Sequence, residues 1–147
     1  MNLFVTKTTL LVNRLLALVM VGLLFGLPPM LDWYASIRPL TQASAKLAIL
    51  IGFYGCALAV FPALWDLDVL LRNILGGAVF IPRNVTAIRR VRWCCMIVSA
   101  ICLPAAFFYQ PLIFMVIIMF FLALILSVLG EVMAAAVQIR EENDLTV

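Results

Sequence analysis

The sequence predicts an all-α polytopic membrane protein with four transmembrane helices and an amphipathic, helix-turn-helix-like loop between spans 2 and 3. Its hydrophobic fraction is 67% and its charged fraction 12%, far from the roughly 45–50% and 25% of soluble domains. Its length suits about four helical spans of roughly 20 residues with short loops. The one long charged insertion, residues 66–92, divides the apolar sequence in two. Residues 1–147 are therefore predicted to form a single membrane domain.

The first span is predicted over residues 10–31. Its uncharged core lies between Arg14 and Asp32, and Arg14 is expected to extend its long side chain to the membrane interface. Pro28 and Pro29 are predicted to break the end of this helix. A cleaved signal peptide is the competing interpretation, but the run is long for such a segment and no clear small-x-small cleavage site follows it. We therefore expect a retained first helix.

The second span is predicted over residues 46–65, after a short loop. Gly52, Gly55 and Ala59 are spaced three and four residues apart, so they share one face of a helix. Small residues on one face allow neighbouring helices to approach closely in a membrane. This pattern predicts helix packing within the bundle.

The charged loop is predicted over residues 66–92 and divides into two amphipathic helices. The first continues from the second span, and Asp68 stands four residues before Arg72, a spacing that favours an ion pair. Gly76 and Gly77 are predicted to end this helix. Pro82 or Asn84 is predicted to start the second amphipathic helix, which leads into the third span, and Asn84 is chemically suited to cap it.

The last two spans are predicted over residues 93–109 and 111–132. No charge occurs in the 38 residues between Arg92 and Glu131, and a helix of that length would be about 57 Å long, nearly twice the thickness of a bilayer core. A hairpin with its turn near Gln110 is therefore predicted. Residues 133–147 form a charged tail.

The distribution of basic residues predicts the orientation. The N-terminus, central loop and tail fall on one side of four spans, and the loops between spans 1 and 2 and between spans 3 and 4 fall on the other. The first side carries Lys7, Arg14, Arg72, Arg83, Arg89, Arg90, Arg92 and Arg140, whereas the second carries Arg38 and Lys46. By the positive-inside rule, both termini and the central loop are expected to be cytoplasmic.

Catalytic chemistry is not expected. The chain has no histidine and no ionisable residue in the middle of a predicted span, and its only Gly-Gly pair lacks the Lys-Ser/Thr of a phosphate-binding loop. We therefore predict no enzyme activity, no cofactor, no metal site and no direct nucleic-acid binding. The four cysteines are interpreted as small apolar side chains, with acylation of Cys94 and Cys95 as the alternative.

Two ion pairs between distant segments are predicted. If the hairpin turns near Gln110, Glu131 returns to the level of Arg90, within about one helical turn of Arg89 and Arg92. Arg14, at the start of the first span, should likewise approach Asp66 at the end of the second. In the alternative interpretation each charge faces water or lipid headgroups, where a pair would contribute only about 0–1 kcal/mol.

Two segments resemble a known family. GAVFIPRNVTAIRRVRW and GEVMAAAVQIREENDLTV are similar to a loop and to the C-terminus of a bacterial family of small four-span membrane proteins classed as a domain of unknown function. Three residues, Val79, Ile81 and Ala136, depart from the usual pattern and affect local turn geometry. The matching positions are Phe80, Asn84, Arg89, Glu131, Glu142, Asn143, Asp144, Leu145 and Thr146.

The resemblance implies a location and a type of partner. It places the protein in the bacterial cytoplasmic (inner) membrane and implies no established enzyme activity. Members are frequently encoded beside a small Cro/CI-type helix-turn-helix regulator, which by association suggests a membrane protein that holds or tunes a cytoplasmic transcription factor. The candidate cytoplasmic interaction surface comprises Phe80, Arg83, Asn84, Arg89, Arg90, Arg92, Glu131, Glu142, Asn143 and Asp144.

Other functions remain open at this point. The arginine-bearing loop can pair with the acidic tail of the same chain or with a partner. The main rival function is a small transport or channel component that works as a homo-oligomer through its Gly and Ala stripes. A third interpretation is a scaffold for membrane lipid, with anionic lipid against Arg83 and Arg90.

Overall fold

The computed structural model describes residues 3–37, 43–107, 110 and 112–145, and these residues form four α-helices. Helix α1 runs over Leu3–Ile37, α2 over Ala43–Leu75, α3 over Pro82–Ala106 and α4 over Leu112–Leu145. The all-α prediction is therefore confirmed.

Helix α1 does not end at its two prolines, and this part of the prediction was wrong. Pro28 and Pro29 both lie inside the helix, which continues to Ile37. A proline has no backbone N–H and so leaves the carbonyl four residues earlier without its helical donor. The Tyr54 hydroxyl of α2 donates a hydrogen bond of 2.9 Å to one such carbonyl, that of Leu24. Neighbouring helices can stabilise a proline inside a membrane helix in this way.

The connection between α2 and α3 is much shorter than the charged loop predicted over residues 66–92. The first part of the predicted loop continues α2 to Leu75 and its last part begins α3 at Pro82, so only residues 76–81 connect the two helices outside helical structure. Each amphipathic segment predicted from the sequence is thus a continuation of a longer helix.

Glycines end α2 as predicted. Gly77 has a φ of +80°, a backbone conformation that only glycine adopts readily. Its N–H bonds to the carbonyl of Ile74 at 3.1 Å, and the N–H of Ala78 bonds to the carbonyl of Asn73 at 2.9 Å. These two bonds form a Schellman motif, which satisfies carbonyls that the helix end leaves without donors.

The turn between α3 and α4 lies close to the predicted position. Helix α3 ends at Ala106, and the N–H of Ile113 bonds to the carbonyl of Gln110 at 3.0 Å. Tyr109 and Pro111, the neighbours of Gln110 in the predicted turn, lie outside the described residues.

The four helices form an open row. Consecutive helices pack against each other, whereas in the described ranges no Cα atom of α1 lies within 8 Å of one in α3 or α4, and none of α2 lies within 8 Å of one in α4. At each contact between consecutive helices, residues nearer the start of one helix meet residues nearer the end of the other. Neighbouring helices are therefore antiparallel. Helix α3 therefore lies between α2 and α4.

The main apolar cluster joins the three later helices. Its buried members are Ala59 of α2 with Val98 and Cys102 of α3, and Met119 of α4 packs against them. Cys102 lies 3.7 Å from Cys56, measured between sulfur atoms, and both cysteines are free.

Only part of the predicted small-residue stripe lies at a close helix contact. A Cβ placed on Gly55 would lie 3.5 Å from Ile101 of α3, whereas one placed on Gly52 would meet no atom within 4 Å. Ala59 is buried. The α2–α3 interface therefore uses Gly55 and Ala59 but not Gly52.

Three of the helices in the described part of the chain are long and apolar enough to cross a membrane. The qualifying segments are Phe4–Trp33, Ile49–Leu75 and Leu112–Asn143. Helix α3 does not qualify by length and composition, because arginines occupy much of its first half and its uncharged part from Trp93 to Ala106 would span only about 21 Å. The protein is a multi-pass membrane protein with helices that exceed the roughly 30 Å of a bilayer core.

Candidate functional site

Charged residues from each of the four helices meet at one level of the row, which we term the ion-pair layer; the pair of Asp32 with Lys46 lies at the opposite end of α1 and α2. Arg14 of α1 lies 3.1 Å from Asp68 of α2, and Asp68 also lies 2.6 Å from Arg72. The remaining pairs are Asp66–Arg90 between α2 and α3, at 3.3 Å, and Arg89–Glu131 between α3 and α4, at 3.2 Å. Each contact between neighbouring helices therefore carries an ion pair at this level.

The predicted ion pair of Glu131 is confirmed, because Arg89 is one of the arginines expected within about one helical turn of it. Its carboxylate binds Arg89, one residue from Arg90, whose level it was expected to reach. The predicted i, i+4 pair between Asp68 and Arg72 is also confirmed.

The predicted pairing of Arg14 with Asp66 was wrong. Positions 66 and 68 are about 200° apart around a helix of 3.6 residues per turn, so their side chains leave α2 on opposite sides. Asp68 faces α1 and binds Arg14, whereas Asp66 faces α3 and binds Arg90. The sequence could not reveal which helix lies on which side of α2.

A pair of asparagines holds the connection between α2 and α3. Asn84 is fully buried, with no exposed surface, and its side-chain nitrogen donates to the carbonyls of Ala78 at 2.9 Å and Val79 at 2.8 Å. Its side-chain oxygen accepts a hydrogen bond of 2.8 Å from Asn73 near the end of α2. We term Asn73 and Asn84 the asparagine latch, because together they join the end of α2, the start of α3 and the backbone between them.

Of the two predicted starts of α3, Pro82 is confirmed, whereas the prediction that Asn84 caps the helix was wrong. The helix begins two residues earlier at Pro82, and the residue before it, Ile81, makes no side-chain cap bond. Proline suits the first helical position, because its missing N–H would have no partner there and its φ is already helical. Asn84 therefore lies inside the first turn, where its side chain is free to bind the connection.

The connection forms one wall of a cleft of about 420 Å³, which we term the end cleft. Exposed Phe80 lies on this wall, and the facing wall comes from the C-terminal part of α4. The lining residues are Gly76, Gly77, Ala78, Phe80, Ile81, Pro82, Val137, Arg140 and Glu141. The cleft thus combines backbone, an aromatic ring, aliphatic side chains and both signs of charge.

The other predicted surface residues lie outside the ion-pair layer. Arg83 is exposed near the start of α3, and the guanidinium of Arg92 lies 5.7 Å from the ring centre of Trp93, its neighbour in sequence. Glu142 accepts a hydrogen bond of 3.1 Å from Gln138 on its own helix, and Asn143 is exposed. The side chain of Asp144 and residue Thr146 lie outside the described residues.

Some residues at this end of the molecule were not expected from the sequence. Asn73 completes the asparagine latch, and Val137 and Arg140 line the end cleft. Asn13 is buried at the α1–α2 contact and donates a hydrogen bond of 3.1 Å to the carbonyl of Leu64. Both asparagines interrupt apolar helical sequence, which is the signal that could have identified them, because a buried amide needs partners.

The ion pairs and the latch give this end of the molecule a defined shape. The asparagine latch and the ion-pair layer join the helix ends through charged and amide hydrogen bonds, while the end cleft lies beside them.

Comparison with curated proteins and with solved structures gives no match. A family model matches residues 34–147, which include α2, α3, α4 and the last residues of α1. This range contains both segments that carried the resemblance in the sequence, the asparagine latch and the end cleft. The chain therefore belongs to the family described as "Protein of unknown function (DUF2975)".

Proposed function

We propose that this chain is a non-enzymatic regulatory protein of the bacterial inner membrane that docks a cytoplasmic protein partner at its end cleft. In this proposal the four helices cross the membrane and the ion-pair layer lies at its cytoplasmic boundary, so that both termini are cytoplasmic. The partner is a small helix-turn-helix transcription regulator, the type that the family resemblance suggests.

The packing of α3 supports a fourth span. Helix α3 lies antiparallel between two helices that are apolar enough to cross, and its contacts with them run from the ion-pair layer to the apolar cluster at Cys102. Its two neighbours cover part of its surface and pair with its arginines, so α3 can cross with a shorter apolar segment. A periplasmic reporter inserted at Gln110 should be active and one fused at Val147 inactive; the reverse pattern would contradict this topology.

The observation that carries the docking proposal is the end cleft beside a latched connection. Binding costs less free energy when the receiving surface is already ordered, and Asn84 orders the backbone at Ala78 and Val79. Phe80 is left exposed on this connection. Aromatic side chains on rigid backbone are frequent anchors of protein interfaces.

The charges of the cleft suit a partner of mixed charge. Arg140 and Glu141 line it together, and Arg83 is exposed near the start of α3. Arg89 and Arg90 are already paired with Glu131 and Asp66, so we assign them to holding the helices together. The docking contacts are assigned to Phe80 and to the cleft wall from α4.

The test is site-specific photo-crosslinking in native membranes. A photoreactive phenylalanine analogue at position 80 should crosslink to a cytosolic protein, which mass spectrometry should identify as a helix-turn-helix regulator. Phe80→Ala should abolish co-purification of that regulator and change transcription from its target promoter. Deletion of residues 141–147 should weaken the same co-purification.

Phe107 offers a matched control, since it is an exposed phenylalanine beyond the opposite end of α3. The analogue at position 107 should give no crosslink to the regulator, and Phe107→Ala should leave co-purification unchanged. Equal crosslinking from both positions would contradict docking at the end cleft. Retention of the regulator by Phe80→Ala would contradict it as well.

A second function, a small oligomeric transport or channel component, is favoured by the open row of helices. Because α1 and α4 make no contact in the described residues, copies of the chain could pack side by side and enclose a space between them. This function predicts an oligomer of fixed size in lipid nanodiscs and solute flux into proteoliposomes. A monomer without flux would eliminate it.

A further inference from the structure

Helices α1 and α2 form a second cleft, on the side of α2 opposite to α3. We term it the lateral cleft. Its volume is about 240 Å³, and its lining residues are Asn13, Arg14, Ala17, Phe61, Leu64, Trp65, Asp68 and Arg72. We propose that the lateral cleft binds the headgroup of an anionic phospholipid of the phosphatidylglycerol type. Arg14 and Arg72 hold the phosphodiester, and a headgroup hydroxyl donates a hydrogen bond to Asn13.

Asn13 supplies the first argument. Only 4% of its surface is exposed, and its side-chain nitrogen donates to the carbonyl of Leu64. Its side-chain oxygen, Oδ1, is buried and accepts no hydrogen bond from the described part of the chain. A buried acceptor without a donor costs free energy. Since Oδ1 belongs to a residue that lines the cleft, a ligand with a donor group would relieve this cost.

The two arginines supply the second argument. Both direct their Nε atoms to the carboxylate of Asp68, Arg14 at 3.1 Å and Arg72 at 2.6 Å. A guanidinium has five N–H donors in a planar fork, so the terminal nitrogens of both can bind further oxygens. The formal charge of Arg14, Arg72 and Asp68 together is +1, which matches one phosphodiester anion.

The apolar wall identifies the source of that phosphodiester as a lipid. Ala17, Phe61 and Trp65 line the same cleft, and Trp65 is largely exposed at the side of the helix row. A phosphate ester dissolved in water would gain little from this wall, whereas the acyl chains of a lipid can lie along it. Basic pockets between membrane helices are known to bind lipid headgroups in this way.

The donor that Asn13 requires distinguishes among headgroups. A glycerol headgroup carries hydroxyl donors and leaves the lipid with one negative charge. A choline headgroup has no N–H or O–H donor. An ethanolamine headgroup has a donor, but its ammonium charge leaves the lipid neutral and would be repelled by Arg14 and Arg72. The lateral cleft therefore favours phosphatidylglycerol.

The test is lipid titration of the delipidated full chain, followed by native mass spectrometry. Phosphatidylglycerol is compared with phosphatidylmethanol, which has the same phosphodiester charge but no hydroxyl on its headgroup. The unmodified chain should bind phosphatidylglycerol about tenfold more tightly than phosphatidylmethanol or phosphatidylcholine. Equal binding of phosphatidylglycerol and phosphatidylmethanol would overturn the assignment of Asn13.

Two variants separate the roles of the residues. Arg72→Gln should weaken the binding of both anionic lipids by about tenfold. Asn13→Leu should weaken the binding of phosphatidylglycerol alone. Lys7→Gln is the matched control, because Lys7 is an exposed cation on α1 that does not line the cleft. If Asn13→Leu fails to fold, Arg72→Gln still decides the proposal. The side chain of Arg72 is 61% exposed, so this variant should fold. Unchanged binding of both anionic lipids by Arg72→Gln would overturn it.

A competition experiment distinguishes the lipid from a free phosphate ester. Soluble glycerophosphoglycerol presents the same headgroup without acyl chains. A large excess should be needed to displace phosphatidylglycerol from the unmodified chain. Displacement at equal concentration would overturn the assignment of a lipid as the ligand.

Discussion

The hydroxyl of Tyr54 donates a hydrogen bond of 2.9 Å to the carbonyl oxygen of Leu24, four residues before Pro28. In an uninterrupted α-helix, the N–H of residue 28 would supply this bond. Proline has no such N–H, so a side chain of α2 replaces a missing backbone donor of α1. The bond couples the path of α1 to its packing against α2.

Tyr54→Phe should lower the free energy of unfolding by about 1 kcal/mol, because the carbonyl of Leu24 loses its donor. In a Pro28→Ala background the same change should cost close to nothing, since the backbone N–H restored at position 28 then bonds to Leu24. Unfolding in mixed micelles of dodecyl maltoside and sodium dodecyl sulfate measures both values. The difference between them is the coupling free energy of the two sites.

Pro29→Ala provides the control background. It restores the N–H that would bond to Phe25, one residue after Leu24, and leaves the donor role of Tyr54 unchanged. Tyr54→Phe should therefore remain costly in this background. A cost that disappears equally in both proline variants would show that Tyr54 acts through general packing.

Asn84→Ala should be among the most destabilising single changes at the charged end of the molecule. It removes three hydrogen bonds and leaves the carbonyls of Ala78 and Val79 and the amide of Asn73 without these partners. We expect a loss of about 3 kcal/mol. Hydrogen exchange of the backbone between residues 76 and 81 should accelerate at the same time.

Asn73→Ala is the matched change on the other side of the latch. It removes only one of the three side-chain bonds, so the expected loss is about 1 kcal/mol. Hydrogen exchange at Ala78 and Val79 should change less than in Asn84→Ala. Equal losses in the two variants would contradict the central role assigned to Asn84.

Gly77→Ala should destabilise the protein by about 1 kcal/mol, because a φ of +80° is unfavourable for any residue with a Cβ. Steric clash with other residues is not the cause, since a Cβ at this position would meet no atom within 4 Å. Gly52→Ala is the control, as its site is equally open but lies inside α2. There alanine should stabilise the helix by up to about 1 kcal/mol. Similar effects of the two substitutions on thermal unfolding would disprove the conformational explanation.

The two acidic residues that bind α3 should differ in their contribution to stability. The side chain of Asp66 is only 10% exposed, whereas that of Glu131 is 68% exposed. Asp66→Asn should therefore cost about 1–2 kcal/mol, and Glu131→Gln less than about 0.5 kcal/mol. Raising the salt concentration should reduce the small effect of Glu131→Gln further, because salt screens exposed charges.

Local features of the fold were predictable because they depend on neighbouring residues. Gly77 ends α2 through its own backbone freedom, and Asp68 binds Arg72 because four residues make about one helical turn. The partner of Asn84 was not predictable in the same way. An asparagine near the start of a helix suits a cap, and only the position of the connection shows that its amide turns back to Ala78 and Val79.

The candidate sites likewise contain some residues that the sequence identified and others that only the tertiary structure identified. Phe80 and Asn84 were identified from the sequence through the family resemblance. Asn13 and Arg140 line clefts only because α1 lies against α2 and α4 lies against the connection. No pattern along the chain indicates these two contacts.

The sequence by itself determined that the chain is helical, that it belongs in a membrane and where its charges interrupt the apolar segments, because these properties follow from composition and from periods of a few residues. The tertiary structure alone decided that α3 lies between α2 and α4 and that α1 packs on the other side of α2. It therefore also decided that Asp68 binds Arg14 while Asp66 binds Arg90. The physical reason is that lipid-facing and helix-facing positions are both apolar in a membrane, so the order of packing depends on contacts that hydrophobicity does not distinguish.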